Sequence, residues 1–251
     1  MIHHRTARIG ILLLGLLAAA PLAVTSAAAT PTGHRLAVPD LHALARKVRE
    51  APLDPLALFH LELGTSPRRT AAVARLRAPE RLAAGETRYV HYALAPLPGR
   101  PGALPAPEGI TVVDGDLFYA GTGRDEARLV EASLVLEAPA GREAALDLLV
   151  SRLGQPEFEV VMPGALHLMI GWRTPRGYVL ATFDDLPVFR VSVFADEEED
   201  LLVGSQIVLY EGLADYAERL EAGEPAGDLL RRLVNLVLWV GMARDSLEVV
   251  H

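Results

Sequence analysis

The chain has no cysteine. No disulfide can staple its fold, no lipid can be attached through a thiol and no thiolate can act as nucleophile, so an ordinary packed core must hold it together. It has a single lysine, Lys47, and a formal net charge of −8. An acidic surface repels phosphate and sets nucleic acid aside as a partner. The near-total use of arginine for positive charge reads as genomic base composition rather than anion recognition. Also missing are a G-x-S-x-G elbow, a P-loop and a G-x-G-x-x-G behind a strand, which leaves the usual nucleophile and nucleotide routes without support. No repeat at a fixed period is visible. What is present is 251 residues, 51% apolar and 22% charged, a globular balance long enough for one domain or two small ones.

The first 29 residues stand apart. Arg5 and Arg8 precede an uncharged run from Ile9 to Leu22, and Ser26-Ala27-Ala28-Ala29 follows. That order is the pattern of a secretory signal peptide cut after Ala29, so residues 1–29 are expected to be removed and the protein to be exported, periplasmic or secreted. The alternative is an N-terminal membrane anchor, because Ile9 to Ala29 is about long enough to cross a bilayer. Pro21 counts against it by kinking a spanning helix. Loss of the two leader arginines takes the formal charge from −8 to −10.

Residues 30–95 read as N-terminal helices and strands. Asp40 caps a short helix through Leu41, Leu44, Ala45 and Val48, and Leu56, Phe59 and Leu63 suggest another turn or two beyond Pro52 and Pro55. From Thr65 to Arg77 two signals compete: Ser66-Pro67 opens a helix well, whereas the alternation around Val73, Arg75 and Arg77 reads as strand. Strands are expected on both sides of Ala83 to Glu86, the second through the β-rich run Thr87 to Tyr92. Residues 96–109 carry Pro96, Pro98, Gly99, Pro101, Gly102, Pro105 and Pro107, a linker or long loop and the best candidate boundary.

Residues 110–251 read as an α+β domain: an antiparallel sheet with packed helices and a C-terminal helical hairpin. Asp114-Gly115 is expected to turn a tight hairpin between Thr111-Val112-Val113 and Leu117-Phe118-Tyr119. Val130, Ala132, Leu134 and Leu136 alternate with Glu131, Ser133 and Glu137, which predicts a strand with one buried and one wet face. The stripe Ala145, Leu146, Leu149, Val150 and Leu153 makes a helix that Gly154 and Pro156 stop. A three-stranded meander follows over 165–173, 178–183 and 188–194, offering Leu166, Leu168, Ile170 and Trp172, then Val179, Ala181, Phe183, Phe189, Val191 and Val193 to that helix. Two helices close the chain. One runs through Ile207, Tyr210, Leu213 and Leu220; the other is capped by Asp228, reaches about Ala243, and is apolar nearly all round, which predicts burial rather than a lipid- or partner-facing role.

No cluster of catalytic, binding or metal-ligating residues emerges from spacing. The acidic run Asp196-Glu197-Glu198-Glu199-Asp200 reads as a solvated loop, and Asp184-Asp185 lies about 30 Å away along the intervening strand, too far to share a calcium ion with it. Asp114-Gly115-Asp116 lacks the third carboxylate of a metal loop. Among His34, His42, His60, His91, His167 and His251 no pair has the i, i+4 spacing of a metal site. His91 and His167 read as exposed strand residues, and Gly204-Ser205 as a helix start with Ser205 at the cap. No cofactor is expected. The expected function is a non-catalytic binding or assembly protein of the envelope or secreted fraction, its partner another such protein and the membrane only if the leader is retained. The alternative is an exported hydrolase whose site is assembled in space from distant histidines and carboxylates.

Overall fold

A computed structural model describes residues 55–99, 102–122, 125–161, 168–183, 188–197 and 200–250. The chain divides into two units, Met1–Ala51 and Pro52–His251, and all described residues lie in the second. The expected leader, the helix after Asp40, His167 and Asp184-Asp185 fall outside the described residues.

The architecture is α+β. A 3-10 turn at Pro55–Phe59 and a one-turn helix α1 (Pro67–Thr70) lead into β1 (Arg75–Leu76), β2 (Glu80–Ala84) and β3 (Thr87–Ala95). Both readings of 65–77 are therefore realised in succession, the Ser66-Pro67 opening giving one helical turn before the chain extends. β4 (Thr111–Ala120), β5 (Arg128–Glu137) and helix α2 (Arg142–Leu153) follow, then β6 (Phe158–Val161), β7 (Leu168–Thr174), β8 (Gly177–Phe183) and β9 (Val188–Ala195). Helices α3 (Leu201–Glu221) and α4 (Ala226–Asp245) form the C-terminal hairpin, and β10 (Glu248–Val249) ends the order.

These strands make one sheet in the order β10-β2-β3-β4-β5-β9-β8-β7-β6, with β1 paired beside β3. Every pairing is antiparallel. β3 and β4 pair from Tyr89↔Ala120 to Ala93↔Asp116, so the Pro/Gly-rich segment 96–109 joins neighbouring strands of one sheet rather than two separately packed parts. The meander arrives as expected: β7 turns into β8 at Thr174↔Gly177, and β8 pairs β9 from Gly177↔Ala195 to Phe183↔Phe189.

Each face of the sheet carries its own core. On one face Leu168, Ile170, Trp172, Val179, Ala181, Phe183, Phe189, Val191 and Val193 pack with Ala145, Leu149, Val150 and Leu153 of α2, the rows that alternation predicted. The Trp172 indole N–H donates to the Gly154 carbonyl at 3.0 Å, tying that sheet row to the end of the helix. Gly154 itself has φ 85° and bonds back to Val150, the expected glycine stop. On the other face Tyr89, Phe118, Val130, Tyr178 and Phe194 pack with Leu202, Val203, Tyr210 and Leu213 of α3 and with Leu229, Leu233 and Val240 of α4.

Several local expectations are corrected by this two-sided burial. Asp114-Gly115-Asp116 is not a hairpin turn but the middle of the continuous strand β4, with an irregularity between Val112 and Asp114. Gly115 is needed for space, not for positive φ: a Cβ there would lie 2.9 Å from Leu94 Cδ1 and 3.0 Å from both Leu134 Cδ2 and the Ser133 carbonyl. The wet face expected of β5 is covered, leaving Glu131 at 0% and Ser133 at 3% exposure. The register shift at Phe118/Tyr119 also sends Val130 to the α3 side, away from Ala132 and Leu134. Ser205 is buried inside α3, donating to Leu202 O at 2.7 Å. The cap is Asp200, whose Oδ1 accepts from the Leu202 and Val203 amides at 3.0 Å each, so the acidic run supplies a structural end as well as solvated charge. Asp228 lies in the first turn of α4 after Pro225 rather than at its cap.

Gly115→Ala is expected to lower stability by about 1–3 kcal/mol, the usual cost of overpacking a core. Gly115→Asn, which a left-handed turn would accept, should cost at least as much. Denaturant midpoints of the two variants check this, and a neutral Gly115→Asn would restore the turn assignment.

Candidate functional site

On the face shared with α3 and α4, register alone lines up a row across seven strands. Glu80 stands opposite His91, His91 opposite Phe118, Phe118 opposite Glu131, Glu131 opposite Phe194, Phe194 opposite Tyr178, and Tyr178 opposite Arg173. Charged and aromatic groups thus sit side by side at the spacing of neighbouring strands, close enough to interact in pairs. His91 stacks on Phe118 with ring centroids 4.7 Å apart, and Tyr178 stacks on Phe194 at 5.5 Å. Two guanidinium groups complete the row: Arg244 of α4 lies 5.0 Å from the Phe118 centroid and Arg173 lies 5.1 Å from that of Tyr178, both within cation–π range.

A second row, one register step away, places Asp116 opposite Ser133 and Ser133 opposite Ser192. The rows interlock through hydrogen bonds. His91 Nε2 lies 2.8 Å from Asp116 Oδ1, and its Nδ1 lies 3.2 Å from Glu80 Oε2. Arg190 Nη1 donates to Ser133 Oγ at 2.9 Å, and the Ser133 and Ser192 hydroxyls are 3.2 Å apart. Arg244 Nη2 donates to Glu131 Oε1 at 2.7 Å. The other carboxylate oxygen of Glu131, fully buried, has no hydrogen-bond partner among the described residues.

The charge states follow from these neighbours. Burial alone would push the His91 imidazole down, but the hydrogen bonds and charges of Asp116 and Glu80 outweigh it and hold its pKa above the ordinary 6.5. Burial likewise opposes charge on Asp116, yet the bond to His91 and the nearby Arg244 and Arg190 keep its carboxyl below the ordinary 3.8. Burial pulls the Arg190 guanidinium below its usual range against the opposing pull of Asp116 and Glu131. When protonated, His91 donates from both ring nitrogens to Asp116 and Glu80 and leaves neither to accept a proton from a substrate. Ser133 accepts from a guanidinium and touches a second hydroxyl, with no base within hydrogen-bond distance among its described contacts. Among the described residues no three His, Asp or Glu side chains are gathered as a metal site. An open depression of about 330 Å³ lies elsewhere, lined by Glu62, Thr65, Ser66, Arg69, Asp125 and Arg128. Its carboxylates already have cations, Glu62 with Arg69 at 3.5 Å and with Arg176, and Asp125 with Arg68 at 3.9 Å, and such exposed pairs contribute little.

His91 was legible as a strand residue from the alternation of Thr87 to Tyr92, but its reading as exposed is corrected: the ring is 13% exposed and bridges two carboxylates. The sequence pattern places Asp116 in a turn and Glu131 and Ser133 on a wet face, so it gives no reason to match them. Arg190 and Arg244 carried no local signal at all. His60, at the positive φ of 57° after the 3-10 turn, joins no such cluster. The fold and the site together define an α+β protein with one large antiparallel sheet, covered by helices on both faces and braced by a charged and aromatic row. Comparison with protein-family models, with curated proteins and with solved structures gives no match.

Two outcomes are expected. Arg244→Ala leaves the buried Glu131 carboxylate without its cation and should cost about 3–5 kcal/mol, most of it recovered in a Glu131→Leu/Arg244→Leu pair; chemical denaturation of the two variants measures this. For His91, a pKa raised on folding means the stabilisation is full below 6.5 and fades as pH climbs through the raised value. The Asp116 contribution has the opposite sign, present above 3.8 and lost as pH falls through its lowered value. The melting temperature should therefore decline from pH 6 to pH 9 more steeply in the wild type than in His91→Gln; parallel profiles would remove the charged bridge from the account.

Proposed function

We propose that this chain is an exported, non-catalytic binding or assembly protein of the cell envelope or secreted fraction, and that it binds its partner through the outward face of α4. The observation that carries the reading is the placement of that helix. Leu229, Leu233 and Val240 bury against the sheet, but Leu238, Trp239 and Met242 remain 41%, 45% and 63% exposed. Burial was expected to account for the whole apolar circumference of α4; it accounts for one side only. Grouped exposed apolar side chains with a tryptophan and a methionine are the composition of interaction surfaces. No helix among the described residues is long and apolar enough to cross a membrane. The pattern of residues 1–29 supports export.

A second reading, an exported hydrolase using His91 as base, draws on the 2.8 Å contact with Asp116. It is disfavoured because both ring nitrogens face carboxylates, which shift the imidazole towards its charged form and occupy the nitrogen a base would use. The test combines three measurements. Purified protein is expected to turn over esters, glycosides and phosphoesters no faster than His91→Gln. Leu238→Arg is expected to lower recovery of a bound protein at least tenfold. Terminal sequencing of exported protein is expected to begin at Thr30. Turnover abolished by His91→Gln would favour the hydrolase, and intact chain retained in the cytosol with Met1 would refute export.

A further inference from the structure

We infer that α4 binds a second copy of itself, antiparallel, about a two-fold axis through Leu238; the inference rests on the binding role proposed for this helix face and names its partner. With 3.6 residues per turn, Arg231, Val234, Leu238, Met242 and Asp245 fall within an arc of about 80° on the side of α4 opposite Leu229, Leu233 and Val240. Their spacing is 3, 4, 4, 3, the same read in either direction. A two-fold axis at Leu238 therefore sets Leu238 against itself, Val234 against Met242 of the second copy, and Arg231 against Asp245 of the second copy, twice over. One helix face supplies both halves of an apolar seam closed at each end by opposite charges, the self-complementarity that an isologous interface requires. The seam spans about 21 Å from Arg231 to Asp245, fourteen steps of about 1.5 Å each.

Two further observations fit this partner. The same axis sets Asn235 against Gly241, and a Cβ placed on Gly241 would meet nothing within 4 Å beyond the backbone of its own helix and its chain neighbours, so the backbone there has room for an approaching side chain. Arg231 is held within its own helix only by Asp228, at 3.6 Å with side chains 78% and 73% exposed, a surface pair weak enough to be exchanged. A parallel arrangement would instead bring Arg231 against Arg231 and Asp245 against Asp245.

Charge reversal tests the register. Sedimentation equilibrium of the full chain should show a dimer. Arg231→Asp and Asp245→Arg should each weaken it at least tenfold, by facing like charges across the seam. An equimolar mixture of these two variants, and the Arg231→Asp/Asp245→Arg double variant, should return to within about threefold of the wild type. Leu238→Arg should abolish the dimer, and because Leu238 is exposed its far-ultraviolet circular dichroism should match the wild type; if it fails to fold, the charge-reversal set decides alone. A dimer indifferent to all four variants overturns the inference, as does a monomeric wild type. A photoreactive residue at 242 separates the two levels. Cross-linking to a second copy supports the inference; cross-linking of a monomeric chain to a different protein overturns it while leaving the binding role standing; no product of either kind overturns both.

Discussion

A carboxylate withdrawn from water in the central strand constrains the rest of this molecule. Glu131 is fully buried on β5, the fifth of nine strands across the sheet, and an uncompensated charge there would cost several kcal/mol. The compensation comes from Arg244, near the C-terminal end of α4 and distant in sequence. The closing helix must therefore cross the sheet where that guanidinium reaches Glu131. With Arg244 in place, its face lies on Phe118, Phe118 stacks on His91, and His91 is held between Glu80 and Asp116. One long-range ion pair thus sets the seating of the hairpin and the environment of the imidazole together.

This arrangement also sets what the site can do. Catalysis by a histidine needs one nitrogen open to the substrate and a pKa near the working pH. Here both ring nitrogens lie within hydrogen-bond distance of carboxylates, which raise the pKa of the imidazole, and the ring stacks on Phe118. The same contacts set the imidazole between Glu80 of β2 and Asp116 of β4. The row of alternating aromatic and charged groups binds strands laterally at the positions where their hydrogen-bond ladder already aligns them, and Tyr178 continues it by offering its hydroxyl to Asp196 at 3.3 Å. Tyr89 does the same for the hairpin, donating to the Asp200 cap at 2.8 Å.

A helix seated by one side on the sheet leaves its other side to solvent or to a partner. In α4 that other side is apolar at Leu238, Trp239 and Met242 and is bounded along its stripe by Arg231 and Asp245. The sheet is thereby covered by its helices, and the exposed apolar groups of this hairpin lie on the outer side of its last helix.

The periodicities of the chain were sufficient for the α+β class, the α2 helix with its Gly154 stop, the meander and the closing hairpin, because a period of 2 or 3.6 depends only on which side chains share a face. They also showed that α4 is apolar nearly all round. They did not show how many faces of a strand are covered, since that depends on where a later helix lands. For that reason Glu131 and Ser133 looked wet, Gly115 looked like a turn, Asp116 was lost with it, and His91 looked solvated. Arg190 and Arg244 had no local pattern to mark them, because their partners, the Ser133 hydroxyl and the Glu131 carboxylate, lie 57 and 113 residues away and leave no signature beside them. The residues by themselves determined the α+β class, the α2 helix, the meander, the closing hairpin and the absence of any thiol chemistry. Only the tertiary structure decided which charges meet, because that meeting follows from strand order and helix placement, both of them non-local.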